Sequence, residues 1–171
     1  MSVTDVRVRE ATPTDADAIA AVHAAAIREL GSGDYDDRQR RAWLANVHPE
    51  RYPIEETDAG IHVLVAERDD RLVGFGWLDR NSSGRDESVG EIVAVYVRPD
   101  AVREGVGREI LERLEGVARD AGLESIVLVA SKHAIDFYRR QGYEGDETVV
   151  LEMTDDVSLA ALRMRKRLSS P

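Results

Sequence analysis

The sequence lacks cysteine altogether among its 171 residues, which excludes disulfides and thiolate metal ligands. Long apolar runs are also missing, and none approaches the roughly 20 residues that a membrane-spanning helix needs. The first five residues do not show the basic and then apolar pattern of a signal peptide. We therefore expect a cytoplasmic protein that does not bind membranes.

Lysine is scarce and negative charge is in excess. Lys132 and Lys166 are the only lysines, and the formal net charge is -10. This charge argues against a nucleic-acid partner, because a phosphate backbone attracts basic surfaces. Two explanations of the acidic, arginine-rich composition stay open. One is a salt-rich cytosol, where charges are screened; the other is a GC-rich genome that replaces lysine with arginine.

Histidine is too sparse and too scattered for a metal site. No two of the histidines are spaced to share one helix face as metal ligands do. They are His23, His48, His62 and His133. His23 borders the apolar stripe of the first predicted helix, and we interpret it as a packed residue at the edge of the core. We predict no metal.

No repeat or linker divides the chain, so we expect a single domain over residues 1–171. Apolar periodicity predicts an α/β fold with a mixed, mostly antiparallel sheet of about seven strands and helices on both faces. The predicted strands are 3–9, 61–67, 72–78, 89–97, 125–129, 149–153 and 159–168. The predicted helices are 13–30, ended by Gly31, then 36–46, 105–120 and 131–141.

The turn after the strand at 89–97 carries the clearest chemical signal. Gly105 and Gly107 lie at the start of an amphipathic helix. Glycine lets a ligand approach the backbone closely, and a helix N-terminus presents several N–H groups to an anion. Positive charge would come from Arg98, Arg103 and Arg108. The pattern suits a pyrophosphate, with an ordinary strand-to-helix turn as the alternative.

Two other phosphate-binding motifs do not fit this turn. A P-loop needs lysine and then serine or threonine after its last glycine, but Arg108 and Glu109 stand there. A dinucleotide fingerprint needs a small residue where Ile110 stands, and no βαβ unit begins the chain.

The turn resembles the acetyl-CoA motif of the GNAT superfamily of N-acetyltransferases, Arg/Gln-x-x-Gly-x-Gly/Ala. Gly105 and Gly107 match it, while Val102 departs from the first position and Arg103 could supply the missing charge. Residues 131–143 resemble a second family motif, Asn-x-x-Ala-x-x-Phe-Tyr-x-x-x-Gly-Phe, with Ser131 for Asn and Tyr143 for the last Phe. The resemblance covers the whole chain, although the first 80 residues match mainly in topology.

The resemblance implies where acetyl-CoA would bind. In the family two central strands splay apart, and the pantetheine arm fills the gap like an added strand. The backbones of Val95 and Val97 would pair with that arm, and the N–H of Val95 would point at the thioester oxygen. The expected cofactor-binding residues are Val95, Val97, Val102, Arg103, Glu104, Gly105, Val106, Gly107, Arg108 and Ser131.

The resemblance also implies two catalytic residues. Glu91 is spaced from Gly105 like the catalytic glutamate of the histone acetyltransferase branch, and would be the general base. Strand alternation predicts that Glu91 shares a face with Val93, Val95 and Val97; an exposed, solvated carboxylate is the alternative. Tyr138 would protonate the departing thiolate, with a packed aromatic residue as the alternative.

Tyr35 and Trp43 are candidate substrate-binding residues, although buried aromatics often only pack. The expected function is transfer of an acetyl group from acetyl-CoA to a primary amine of a small molecule by direct attack. Alternatives are acetylation of protein N-termini or lysines, and a non-catalytic acyl-CoA-binding module. A homodimer stays open.

Overall fold

The computed structural model describes residues 6–29, 34–81, 87–154 and 156–168. The expected strand start at residue 3 and the expected helix end at Gly31 lie outside these ranges. None of the helices within them combines the length and apolar character needed to cross a membrane. The elements are β1 (Arg7–Glu10), α1 (Ala16–Glu29), α2 (Asp37–Leu44), β2 (Ile61–Arg68), β3 (Arg71–Asp79), β4 (Val89–Val97), α3 (Val106–Asp120), β5 (Ser125–Ser131), α4 (Ile135–Arg140), β6 (Glu144–Thr154) and β7 (Val157–Arg167).

The strands form one seven-stranded sheet in the order β1-β2-β3-β4-β5-β7-β6. Among the described strands only β4 and β5 are parallel, and their pairing stops at Ile92 and Leu128. Beyond these residues β5 continues to pair with β7 and β4 with β3, so the centre of the sheet splits open. The predicted mixed, mostly antiparallel sheet and its splayed central pair are confirmed.

Helices cover both faces of the sheet. α3 buries Ile110, Leu111 and Leu114 in a core that also contains Ile92 of β4. The glycines of β3 allow this close packing, since a Cβ on Gly76 would lie 2.5 Å from Cγ2 of Ile110. On the opposite face α1 buries its apolar stripe against β2 and β3, as the helical periodicity predicts. The start of α3 is thereby fixed beside the open end of β4.

Strand β4 carries a bulge, and the predicted alternation of its side chains between the two faces of the sheet is therefore wrong. Trp77 and Leu78 of β3 pair with Ala94 and Ile92, which leaves Val93 without a partner in β3. One extra residue reverses the order of faces along the strand. Glu91 therefore does not share a face with Val95 and Val97, whose side chains pack with the α3 core. It lies on the opposite side, with Ala94 and Tyr96.

Two element boundaries differ most from the prediction. The helix expected over 131–141 is α4, Ile135–Arg140, preceded by a 3-10 turn at Lys132–Ala134. Ser131 is extended because it still pairs with Ala161 of β7. Strand β6 begins at Glu144, five residues before its predicted start at 149. It is an edge strand, so its exposed, charged first residues do not show the apolar pattern of a buried strand.

Candidate active site

A groove of about 600 Å³ runs between the end of β4, the start of α3 and α4. We call it the α3 groove. The residues that line it include Val95, Tyr96, Val97, Val102, Arg103, Gly105, Val106, Gly107, Arg108, Phe137, Tyr138 and Arg140.

The start of α3 is built to present its backbone. Arg103 and Gly105 both have positive φ angles, 66° and 84°, so the chain turns sharply before the helix begins. No side chain caps the helix N-terminus, and its first N–H groups have no partner within the helix. A Cβ on Gly107 would lie 3.3 Å from Cζ of Phe137, so glycine also lets α4 pack closely here. These residues fit an anionic ligand such as a pyrophosphate.

A second space of about 320 Å³ lies on the other side of β4, towards α1 and α2. We call it the aromatic cavity, because eight of its twenty lining residues carry rings. The side chains that define it include His23, Tyr35, Trp43, Tyr52, Trp77, Glu91, Tyr96, Ser131, His133, Tyr138 and Met153. They come from strands and helices spread over most of the chain.

The two spaces meet where the sheet splits. Five residues line both: Val95, Tyr96, His133, Ala134 and Tyr138. This shared wall lies past the point where β4 and β5 stop pairing. A ligand arm in the α3 groove and a second molecule in the aromatic cavity can therefore come into contact through the gap.

Tyr138 lies at this junction with its side chain buried, at 6% exposure. Its ring is held edge-on between Phe137 and Tyr143, with centroids 5.1 and 5.7 Å away. Burial raises the pKa of the Tyr138 hydroxyl well above its usual value. The hydroxyl is therefore protonated near neutral pH and can donate a proton to a developing anion.

Tyr35 is fixed in the wall of the aromatic cavity by two hydrogen bonds. Its hydroxyl donates to the carbonyl oxygen of Ala160 at 2.8 Å and accepts from the N–H of Lys132 at 3.0 Å. Trp43 packs edge-on against the Tyr35 ring at 5.8 Å. These contacts connect Tyr35 and α2 to the end of β5 and the start of β7.

His23 is the least expected member of the aromatic cavity. Its Nδ1 lies 2.9 Å from the Tyr52 hydroxyl, and its ring packs 4.4 Å from that of Tyr96. Burial lowers the pKa of His23 to about 4, so the imidazole is neutral at pH 7. Its Nε2 and the Nε1 of Trp77 are buried without a hydrogen-bond partner in the described part of the chain. Such unpaired buried nitrogens are uncommon and mark places where a ligand or water belongs.

The family model for the acetyltransferase (GNAT) family matches residues 24–143, which include the split between β4 and β5, the α3 groove and α4. This chain belongs to the GNAT family. The resemblance seen in the two sequence motifs is thereby confirmed.

Individual GNAT proteins resemble the chain in sequence and in structure. An IAA acetyltransferase of Azospirillum brasilense is 37% identical over 86 residues, which are 48% of this chain and 54% of that protein. A GCN5-related N-acetyltransferase from Rhodopseudomonas palustris superposes with a TM-score of 0.82 at 27% identity, over 98% of this chain and 99% of that one. The PaiA N-acetyltransferase of Thermoplasma acidophilum, solved with coenzyme A, gives 0.77 at 18% identity, over 96% and 99%. The chain spans about half the length of the curated relatives that it matches.

Most of the residues proposed from the GNAT motifs to bind the cofactor line one groove. The α3 groove is lined by Val95, Val97, Val102, Arg103, Gly105, Val106, Gly107 and Arg108. Two others lie elsewhere. The Glu104 carboxylate turns away to pair with Arg68 of β2. Ser131 lines the aromatic cavity instead, with its Oγ 3.0 Å from Nδ1 of His133.

The aromatic cavity contains the proposed substrate and base residues of the GNAT site and several that were missed. Tyr35, Trp43 and Glu91 all line it. Tyr52, Trp77, Tyr96 and His133 were not predicted, and His23 was taken for a packing residue. No local pattern marks these residues, because each comes from a different element. Within the described residues no three metal-ligating side chains gather.

Proposed function

We propose that this protein transfers the acetyl group of acetyl-CoA to a primary amine of a small molecule. One observation carries the proposal: a groove with an uncapped helix start opens, through the split between β4 and β5, into a cavity lined by a carboxylate. The two spaces suit a donor and an acceptor that must meet. Membership of the GNAT family supports the same reaction.

The α3 groove would hold the donor. N–H groups of Gly105, Val106 and Gly107 would bind the pyrophosphate, with Arg103 and Arg108 adding positive charge at the rim. The unpaired backbone of β4 at Val95 and Val97 would hydrogen-bond the pantetheine arm. Bound acetyl-CoA supplies an acetyl thioester, in which the acyl carbon is joined to a good leaving group.

Residues where the two spaces meet would transfer protons and stabilise the negative charge that develops during the reaction. The N–H of Val95 would donate to the carbonyl oxygen as negative charge develops on it. Glu91 would take a proton from the amine, directly or through water, while a C–N bond forms and the C–S bond breaks. Tyr138 would give a proton to the departing sulfur, since a tyrosine hydroxyl is protonated near neutral pH. The products are an amide and a free thiol.

The walls of the aromatic cavity favour a small molecule over a protein as acceptor. Its volume of about 320 Å³ and its buried rings leave little room for a polypeptide on both sides of the amine. The lining by both Glu91 and Tyr138 favours catalysis over mere binding of an acyl-CoA. Acetylation of protein N-termini or lysines remains the competing activity.

The decisive experiment measures thiol release from acetyl-CoA with a panel of small amines and of peptides with free N-termini or lysines. The expected result is release that depends on a small amine, with the acetylated amine found by mass spectrometry. Thiol release that depends on a peptide would instead support acetylation of protein N-termini or lysines. If acetyl-CoA binds but no amine or peptide causes thiol release, the protein is a non-catalytic acyl-CoA-binding module.

A further inference from the structure

Most of the tryptophan and tyrosine side chains of the protein lie in the walls of the aromatic cavity. Both of its tryptophans and four of its five tyrosines line this one space. Trp43 lies edge-on to Tyr35 and to Tyr96, with ring centroids 5.8 and 6.3 Å apart. Such walls favour a further ring through edge and offset contacts, and their faces attract an ammonium group. The cavity therefore suits a flat apolar body that carries a cationic amine.

The described lining residues of the aromatic cavity carry formal charge of one sign. Among the described lining residues Glu91 is the one carboxylate, and lysine and arginine are absent. Burial lowers the pKa of His23 and of His133, so both imidazoles are neutral near pH 7. Lys132 holds its Nζ 5.4 Å from the ring centroid of Tyr35 but is not part of the lining.

The α3 groove shows the opposite arrangement. Arg103, Arg108 and Arg140 line it, which suits the phosphates of a donor. An anionic group on the donor thus meets cations, whereas an anionic group on the acceptor meets a carboxylate. A buried charge without a partner is costly, so the aromatic cavity disfavours acceptors that carry an acid.

The size of the aromatic cavity sets a second limit. Its volume of about 320 Å³ is near the lower end of the roughly 300–1,000 Å³ found for small-molecule pockets. Part of that volume adjoins the split in the sheet, where the acetyl group would lie. The acceptor must therefore be compact, which disfavours an extended chain that carries a second ammonium group.

We propose that the acceptor is a compact primary amine with an apolar, preferably aromatic body and with no carboxylate, phosphate or second ammonium group. This inference rests on the proposed function and names its substrate class. 2-Phenylethylamine has these features and serves as the probe. Phenylalanine differs from it by one carboxylate, and phenylalanine amide has similar bulk at that position without the charge.

The experiment compares kcat/KM of the wild-type protein for these three amines with saturating acetyl-CoA. Phenylalanine should be at least about 100-fold poorer than 2-phenylethylamine, since its carboxylate would meet Glu91 and no lysine or arginine among the described lining residues. Phenylalanine amide should stay within about tenfold of 2-phenylethylamine. Phenylalanine within tenfold of the amine would overturn the inference. An amide as poor as the acid would also overturn it, because bulk and not charge would then decide.

A fourth amine tests the aromatic part. 2-Cyclohexylethylamine has a ring of similar size without a π face, and it should be about fivefold poorer than 2-phenylethylamine. Calorimetric titration of both amines into the CoA-saturated protein should give the same order of affinity. Equal turnover and equal affinity would show that the walls act only as an apolar surface, contrary to the preference proposed.

The outcomes separate this inference from the proposed function. Preferential acetylation of phenylalanine, or of a polyamine such as spermidine, would support the proposed acetyl transfer but contradict the proposed class of acceptor. If calorimetry detects acetyl-CoA binding but no amine or peptide accelerates thiol release, the transferase itself fails and the substrate class with it. Preferential acetylation of 2-phenylethylamine, with the acid rejected and the amide accepted, supports both.

Discussion

The α3 groove and the aromatic cavity share Tyr138, yet they are built in different ways. The groove is formed largely by one continuous stretch of chain, from the end of β4 into α3, and includes an uncapped helix start. The aromatic cavity is formed by side chains from both halves of the chain, between His23 and Leu159. The first kind of site needs glycines at fixed spacing; the second needs the whole fold.

This difference determines which side-chain replacements each site can accept without a change of ligand. A backbone cradle tolerates changes of side chain as long as the glycines and the helix start remain, and Val102 in place of Arg or Gln is such a change. A wall of rings changes its ligand whenever one ring is replaced. Donor binding should therefore be the fixed property of this architecture and acceptor choice the variable one.

The largest effect should come from Gly105→Glu in the α3 groove. It forces a positive φ on a non-glycine residue and places a carboxylate at the proposed pyrophosphate site. Affinity for CoA should fall by about 100-fold or more, measured by calorimetry. Gly122→Glu is the matched control, because Gly122 has the same φ of 84° and equally open surroundings at the other end of α3. Equal losses in the two variants would mean that strain, not the cradle, is responsible.

Tyr138→Phe tests the point where the two spaces meet. It keeps the ring and removes the proton donor, so kcat should fall about 100-fold while CoA affinity is retained. The control is Tyr143→Phe on the adjacent ring, whose hydroxyl donates to Glu115 at 2.8 Å in the core. That variant should lose stability by about 1–3 kcal/mol and keep its kcat. Unchanged turnover in Tyr138→Phe would leave Tyr138 a packing residue.

Glu91→Gln tests the aromatic cavity alone. The amide keeps the shape of the side chain and cannot accept the amine's proton, so kcat/KM should drop about tenfold to a hundredfold near pH 7. High pH should restore part of the rate by deprotonating the amine in solution. Glu124→Gln, an exposed carboxylate before β5, should behave like wild type. A wild-type pH–rate profile in Glu91→Gln would assign the base elsewhere.

The smallest effect concerns stability, and it should be confined to the aromatic cavity. In the unfolded chain His23 takes up a proton near the ordinary histidine pKa of 6.5, whereas the buried imidazole remains neutral down to about 4. The unfolded state therefore binds more protons below pH 6.5, and stability is lost as the pH falls towards 4. Urea denaturation should show a loss of about 2 kcal/mol from this group between pH 7 and 5. His23→Gln should flatten that dependence, and an unchanged slope would show that other groups cause it.

The sequence predicted the sheet, its helices and the α3 groove because their signals are local. Periodicity marked strands such as 89–97 with the bounds that the structure has, and two glycines marked the start of α3. The bulge at Val93 could not be predicted, since it depends on how β4 pairs with β3. It reversed the expected face of Glu91. His23 and Trp77 were missed because only the folded chain brings them to one wall.

The placement of Trp43 and Trp77 makes the protein an optical reporter of its own acceptor site. They are its only tryptophans, and both line the aromatic cavity and neither the α3 groove. Intrinsic indole fluorescence thus arises from a single region of the molecule. An amine that enters there should alter emission through contact with the indoles, whereas a nucleotide in the groove touches neither of them. Unlabelled protein can therefore distinguish the order in which two ligands bind.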